Sequence, residues 1–238
     1  MSLHNYLCID GIAGSGKSTL AKWFKPWALE QKFKVFDMLA FETAYGRPPT
    51  FEDAKEADIL CVYEPTKAWV GAALRQELFR LDQGYTGQTL AEAFSLDRLI
   101  LFKRLIIPAL TAGKTVFSER CVSSSIAYQP LMQNGPSLEH LLTLEGNALA
   151  LSHSPTDLII ASIPIPVAMK RLESRDELSR GNVGEPALLE QVSATFHSDW
   201  FTQLYEKQGT RLHYFSTNVP LDTMHANACA LFSSLLLP

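Results

Sequence analysis

The chain has 238 residues, 47% hydrophobic and 19% charged, with a formal net charge of −4, which is enough apolar material for a full core in one α/β domain. The mild acidity excludes binding of nucleic acid through a basic surface and points to a small anion in a locally basic cleft. Cys8, Cys61, Cys121 and Cys229 form no C-x-x-C pair, and no basic-then-apolar leader or run of about 20 apolar residues is present, so the expectation is a cytoplasmic protein with reduced cysteines, neither exported nor membrane-spanning. Tyr6 to Asp10 is an apolar run suited to a buried strand, and Ser18 to Trp27 reads as a helix. Between them Gly11-Ile12-Ala13-Gly14-Ser15-Gly16-Lys17-Ser18-Thr19 fits G-x-x-x-x-G-K-[ST]. Gly11, Gly14, Ser15 and Gly16 let the backbone turn its N–H groups around a phosphate, and the helix start that includes Thr19 adds partial positive charge. Lys17 then reaches the β- and γ-phosphates of a nucleotide while the Ser18 hydroxyl ligates Mg²⁺.

Phe33 to Leu39 reads as a strand, and residues 40–58, with Gly46-Arg47-Pro48-Pro49, as an insertion. Ile59 to Tyr63 is a second apolar run that stops at Glu64-Pro65; whether these two runs lie side by side stays open. Val70 to Leu81 and Thr89 to Ala112 are helical by periodicity, the latter with a stripe of Ala93, Leu96, Leu99, Ile100, Lys103 and Ile107, a Thr89/Glu92 capping box and a stop at Gly113. Lys114 to Ser118 is the next strand and delivers Glu119-Arg120 to its carboxyl end. Asp157 to Ile163 is a strand between Pro155 and Pro164, followed by a helix from Pro166 to about Ser174; Arg211 to Ser216 and Leu221 to Leu237 close the chain as strand and helix.

Strands alternating with helices predict a mostly parallel sheet covered on both faces, with ligands at the carboxyl ends of its strands. That rule gathers Gly11 to Ser18, Glu64 and Glu119-Arg120 into one crevice. An acid that positions Mg²⁺ beside a cation suited to bidentate phosphate binding fits a phosphoryl-transfer centre, and no guanine-reading Asn-Lys-x-Asp segment is present.

Ser118-Glu119-Arg120-Cys121-Val122-Ser123-Ser124-Ser125-Ile126-Ala127-Tyr128-Gln129 resembles the Asp-Arg-Tyr…Ser-Ser…Ala-Tyr-Gln segment of thymidylate kinases. Phe94-Ser95-Leu96-Asp97-Arg98 resembles their Phe-x-x-Asp-Arg, and Ile107-Pro108-Ala109-Leu110 with Gly113 their Ile-x-Pro-Ala-Leu-x-x-Gly. The resemblance implies a P-loop NTPase fold, three-layer α/β/α with a mostly parallel five-stranded sheet and a helical lid at about 175–186. It also implies a homodimer through the helices at 70–112 and transfer of the γ-phosphoryl group of Mg·ATP to a pyrimidine deoxynucleoside monophosphate, dTMP above all. By the same resemblance Phe94 stacks on the base, Arg98 hydrogen-bonds it, Arg120 holds the acceptor phosphate, Glu119 serves the metal, and Glu64, Ser125, Tyr128 and Gln129 line the acceptor pocket. The run Lys170-Arg171-Leu172-Glu173-Ser174-Arg175-Asp176-Glu177-Leu178-Ser179-Arg180-Gly181 resembles the arginine-bearing lid of nucleoside monophosphate kinases, with Arg175 and Arg180 at the transferring group and Arg171 near the donor base.

Departures from the family pattern are Ala13 where an acid commonly contacts the acceptor sugar, Glu119 for Asp, Cys121 for an aromatic or His, and Tyr63-Glu64-Pro65-Thr66 without the arginine and glycines of Arg-Glu-Pro. Glu64-Pro65-Thr66-Lys67-Ala68-Trp69 and Glu119-Arg120 also resemble the Glu-Pro-x-x-x-Trp and Glu-Arg-Ser of deoxyribonucleoside kinases, in which that first glutamate is a base; Trp69 by itself reads as a core residue. A regulator that binds nucleotide without turnover is the third reading, with Ala13 as its support.

Overall fold

Apolar runs of five or six residues, too continuous for a half-exposed strand, are what a parallel sheet buried on both faces requires. In the computed structural model, which describes residues 5–79, 84–173 and 185–237, they form one sheet of parallel strands. β1 is Tyr6–Gly11, β2 Val35–Asp37, β3 Ile59–Tyr63, β4 Thr115–Glu119, β5 Asp157–Ser162 and β6 Arg211–Ser216, in the order β2-β3-β4-β1-β5-β6. The sheet thus has six strands rather than five. The open question at its edge is resolved by the register Val35↔Ile59 to Asp37↔Cys61, which makes β2 the outer neighbour of β3.

Side chains of successive strand residues point to opposite faces, and the core divides accordingly. Leu7 and Ile9 pack with Leu20, Phe24 and Trp27 of α1 (Lys17–Glu30) and with Met224 and Phe232 of the last helix, Leu221–Leu236. Tyr6 and Cys8 face a second layer that includes Leu105, Ile126, Phe196 and Tyr205. The three-layer expectation therefore holds.

The segment 40–58, read as an insertion, carries α2 (Met38–Tyr45) and α3 (Phe51–Ala54), which link β2 to β3. α4 (Trp69–Ala73) runs on as a π-helical turn, Leu74–Leu78. Trp69 is not a core residue: it is 51% exposed, has φ +49°, and lies under the Arg104 guanidinium at 5.1 Å.

α5 (Gly87–Leu101) continues through a π-helical turn, Phe102–Ile106, into α6 (Ile107–Thr111). Its cap is Thr86, whose hydroxyl accepts from the Thr89 amide at 3.2 Å, and not a Thr89/Glu92 box. The buried face is also not the apolar stripe: Leu96 is 48% exposed and Lys103 is exposed, while Ala91, Ser95, Arg98, Leu101 and Leu105 are buried. Hydrophobic periodicity missed that face because two of its members are polar and are satisfied by partners far away in sequence.

After β4 come α7 (Val122–Tyr128), α8 (Leu138–Thr143) and α9 (Glu145–Ser152); after β5 come α10 (Ile165–Glu173), α11 (Pro186–Phe196) and α12 (Asp199–Glu206), and α13 (Leu221–Leu236) ends the chain. α9 docks closely on α5, where a Cβ on Gly146 would lie 1.8 Å from the Ser95 carbonyl oxygen. Among the described residues no helix is long and apolar enough to cross a membrane.

Candidate active site

β1 lies between β4 and β5, where the chain, having built one half of the sheet inward from the edge strand β2 through β3 to β4, crosses to build the other half. Such a reversal opens a crevice at the carboxyl strand ends, and the glycine-rich loop fills it. Gly14 and Gly16 take φ +77° and +86°, a region costly for other residues, and a Cβ at Gly14 would sit 2.6 Å from the Ala168 carbonyl oxygen of α10. Lys17 is 5% exposed and donates from Nζ to the Ile12 carbonyl at 2.9 Å, so its ammonium curls back over the loop. The buried Ser15 hydroxyl oxygen, on the glycine-rich loop, has no hydrogen-bond partner among the described residues. A phosphate oxygen suits it.

The loop is braced from the far end of the chain. Thr217, just past β6, donates its hydroxyl to the Ser15 carbonyl at 2.6 Å and takes Arg171 Nη2 on its own carbonyl at 2.9 Å. Arg171 therefore stands beside the cradle, between α10 and the β6–α13 turn.

Glu119 and Arg120 stand together at the end of β4. The Ser18 hydroxyl donates to Glu119 Oε1 at 2.5 Å, which places two hard oxygens together as Mg²⁺ requires. Arg120 follows with φ +72°, an uncommon conformation for a side-chain-bearing residue and one held here by its amide on the Ile9 carbonyl at 2.8 Å. Its Nη1 reaches Ser124 Oγ at 2.7 Å and Asp10 Oδ1 at 3.4 Å. Asp10 is fully buried and gathers the Gly11 amide and the Ser123 and Ser124 hydroxyls as well, tying β1 to the start of α7.

On the acceptor side, Arg98 is 2% exposed. It donates from Nε to Glu64 Oε2 at 2.8 Å, from Nη2 to Ser125 Oγ at 3.0 Å and from Nη1 to Asn147 Oδ1. Each of the two Nη groups carries a second N–H beyond these contacts. Glu64 Oε1 and Gln129 Oε1 are buried without a partner among the described residues. Phe94 is half-buried, its ring edge-on to Phe79 at 5.5 Å. The Tyr128 hydroxyl accepts from the Ala13 amide at 2.8 Å, so it occupies the ground beside the residue that lacks the family's acid.

The loop after β3 is held by two further residues. Asp97 takes the Thr66 amide at 2.8 Å and the Thr66 hydroxyl at 2.7 Å, and Arg75 donates to the carbonyls of Pro65 and Thr66. Burial lowers the pKa of the Arg75 guanidinium, and the Arg120 charge acts in the same direction.

Burial raises the Glu64 carboxyl to about 7, outweighing the opposing pull of Arg98. The folded state therefore binds more protons than the unfolded chain between the ordinary value of 4.5 and about 7, and stability falls as pH rises through that window. Glu64→Gln is expected to flatten that part of the stability profile, as measured by denaturant unfolding at half-unit pH steps. Burial likewise raises Tyr128 to about 12, against Arg120, so the phenol stays protonated.

Sequence reading placed Lys17, Ser18, Glu119, Arg120, Glu64, Arg98, Ser125, Tyr128 and Gln129 at this edge, and the structure brings them there. Arg175 and Arg180 lie outside the described residues. Asp10, Arg75, Ser123, Ser124, Asn147 and Thr217 were missed. Asp10, as a carboxylate ending a buried strand directly before the glycine loop, was the one with a readable signal.

A parallel α/β/α sheet with a phosphate cradle at its reversal point, an acid facing the cradle serine and an arginine beside it define a P-loop phosphotransferase. A model of the thymidylate kinase family matches residues 50–227. Similar proteins include probable thymidylate kinases of Pyrococcus abyssi, 29% identical over 73% of this chain and 72% of the relative, and of Thermococcus onnurineus, 30% identical over 71% and 72%. A thymidylate kinase of Desulfotalea psychrophila is 30% identical over 81% of this chain and 80% of its own. The chain belongs to the thymidylate kinase family and is a nucleoside monophosphate kinase.

Proposed function

We infer that the enzyme moves the γ-phosphoryl group of Mg·ATP to dTMP, giving dTDP. The observation that carries the reading is one shared edge: the Gly11–Ser18 cradle, Glu119 and Arg120 adjoin the Glu64–Arg98–Ser125 group, so a donor on one side faces an acceptor on the other.

Phosphoryl transfer asks little covalent chemistry of a protein and much positioning and charge stabilisation. Lys17 and the loop amides hold the donor phosphates. Ser18 and Glu119 would hold Mg²⁺, which would supply charge to offset that of the phosphates. Arg120, with Arg75 close by, grips the acceptor phosphate, and Asp10 fixes Arg120 in place. Phe94 stacks on thymine while the second Nη hydrogens of Arg98 meet its edge; Ser125, Tyr128 and Gln129 line the remaining wall. Arg171 faces the donor base, and Arg175 and Arg180 supply lid charge. The chain works as one domain in the cytoplasm. The half-exposed Leu96, Phe79 and Tyr85 on and near α5 support a homodimer through this face.

Glu64 holds the base-reading Arg98 in a buried ion pair, a part in the pocket that needs no proton taken from the acceptor. Phosphoryl transfer from Mg·ATP across thymidine, deoxycytidine, dTMP, dUMP, dCMP, dGMP and dAMP tests the reading. Diphosphate from dTMP with little product from thymidine is the expected outcome. Monophosphate from nucleosides would overturn it, and nucleotide binding without any turnover would leave a regulator.

A further inference from the structure

The family match begins at residue 50, so α2 lies outside it, and the segment that resembles the family's Arg-Glu-Pro has Tyr63 ahead of Glu64-Pro65. Those two features touch. α2 starts at Asp37, whose carboxylate caps the Ala40 amide at 3.1 Å, and one turn on it carries Glu42 against the carboxyl end of β3. Glu42 is only 4% exposed. Its Oε2 accepts from the Tyr63 hydroxyl and from the Lys67 amide, the latter at 2.9 Å.

The two donors bracket Glu64-Pro65-Thr66. Within the bracket, Asp97 and Arg75 grip only Thr66 and the carbonyls of Pro65 and Thr66. The ends of the loop are therefore pinned by Glu42. A carboxylate taken out of water loses several kcal/mol of hydration, and charge-assisted hydrogen bonds are what fix it in one place. A tyrosine at position 63 supplies the hydroxyl that reaches it, where an arginine would have brought a cation.

We propose that Glu42 is a positioning residue of the acceptor site: it clamps Tyr63 to Lys67 and so holds Glu64, between them, against Arg98. This rests on the dTMP reading above. The clamp acts on the acceptor side alone, because none of its contacts reaches the glycine loop.

The test is steady-state kinetics with dTMP and ATP varied separately, for wild type, Glu42→Ala, Glu42→Gln, Tyr63→Phe and the double variant Glu42→Ala/Tyr63→Phe. Glu42→Ala is expected to raise KM for dTMP about tenfold or more while KM for ATP stays within about twofold. Glu42→Gln should recover most of the loss, since its carbonyl can accept both hydrogen bonds. Tyr63→Phe should raise KM for dTMP less, and should add nothing once Glu42 is alanine.

An unchanged KM for dTMP in Glu42→Ala, equal rises in both KM values, or an additive Tyr63→Phe effect overturns the clamp. If the alanine variant does not fold, Tyr63→Phe decides, by whether its rise is confined to dTMP. Amide exchange at Lys67 reads the same contact without turnover: it should quicken in Glu42→Ala, or in Tyr63→Phe if that is the variant that folds, and unaltered exchange overturns the clamp. A wild type inactive on dTMP, by contrast, defeats the functional reading and not the clamp.

Discussion

Lys17→Ala is expected to lower turnover about 10²–10³-fold, the loss found when one preorganised donor is taken from a developing anion. The fold should survive, because the Lys17 ammonium lies over the glycine loop and is not a member of either hydrophobic layer that holds the sheet. Its ammonium donates to the Ile12 backbone carbonyl, and giving up such a hydrogen bond costs about 1 kcal/mol. Turnover at saturating dTMP and ATP, set beside an unfolding curve, separates the two effects. Lys17→Arg should not rescue, since a planar fork cannot take the place of a compact ammonium in so tight a loop. Retained turnover in the alanine variant would remove the cradle from the mechanism.

Arg98→Ala carries the second large effect, and it falls on stability as well as on acceptor choice. Arg98 and Glu64 are both almost wholly buried, and removing one partner of such a pair costs about 3–5 kcal/mol because the other is left as an uncompensated charge. Asn147 and Ser125 also lose a donor. The cost should shrink at pH 5, where Glu64 can protonate instead, and be largest at pH 8. Denaturant unfolding of the variant at both pH values measures this. In the fraction that folds, discrimination between dTMP and the other deoxynucleotides should relax; an unchanged acceptor profile would contradict base reading by Arg98.

The strands and the cradle were legible because their signals are local. A buried parallel strand is a continuous apolar run, and the glycine loop is a contiguous pattern whose neighbours in sequence are its neighbours in space. The acceptor side was only half legible for the opposite reason. Arg98, Glu64 and Ser125 could be named from their motifs, but that the last two bond to Arg98, together with Asn147, joins distant elements, and no spacing announces it. The same polarity misled the reading of α5: Ser95 and Arg98 sit on the buried face, so the apolar stripe traced the wrong side of the helix. Trp69 misled in the other direction, since an indole can lie outside when a guanidinium stacks on it. Asp10 was within reach, as a lone acid in an otherwise apolar strand.

The position of β1 in the sheet dictates when the enzyme can come into being during synthesis. Although the phosphate loop emerges first, the strand that presents it pairs with nothing nearby: Tyr6 aligns with Val116 on one side and Leu7 with Asp157 on the other. Closing such long loops delays pairing, and parallel sheets of this kind assemble late. Until the ribosome has delivered β4, through residue 119 of 238, the apolar N-terminal strand has no partner, and its other edge stays open until β5 follows, through residue 162. A truncated chain that stops before β5 is therefore expected to have the motif without the site.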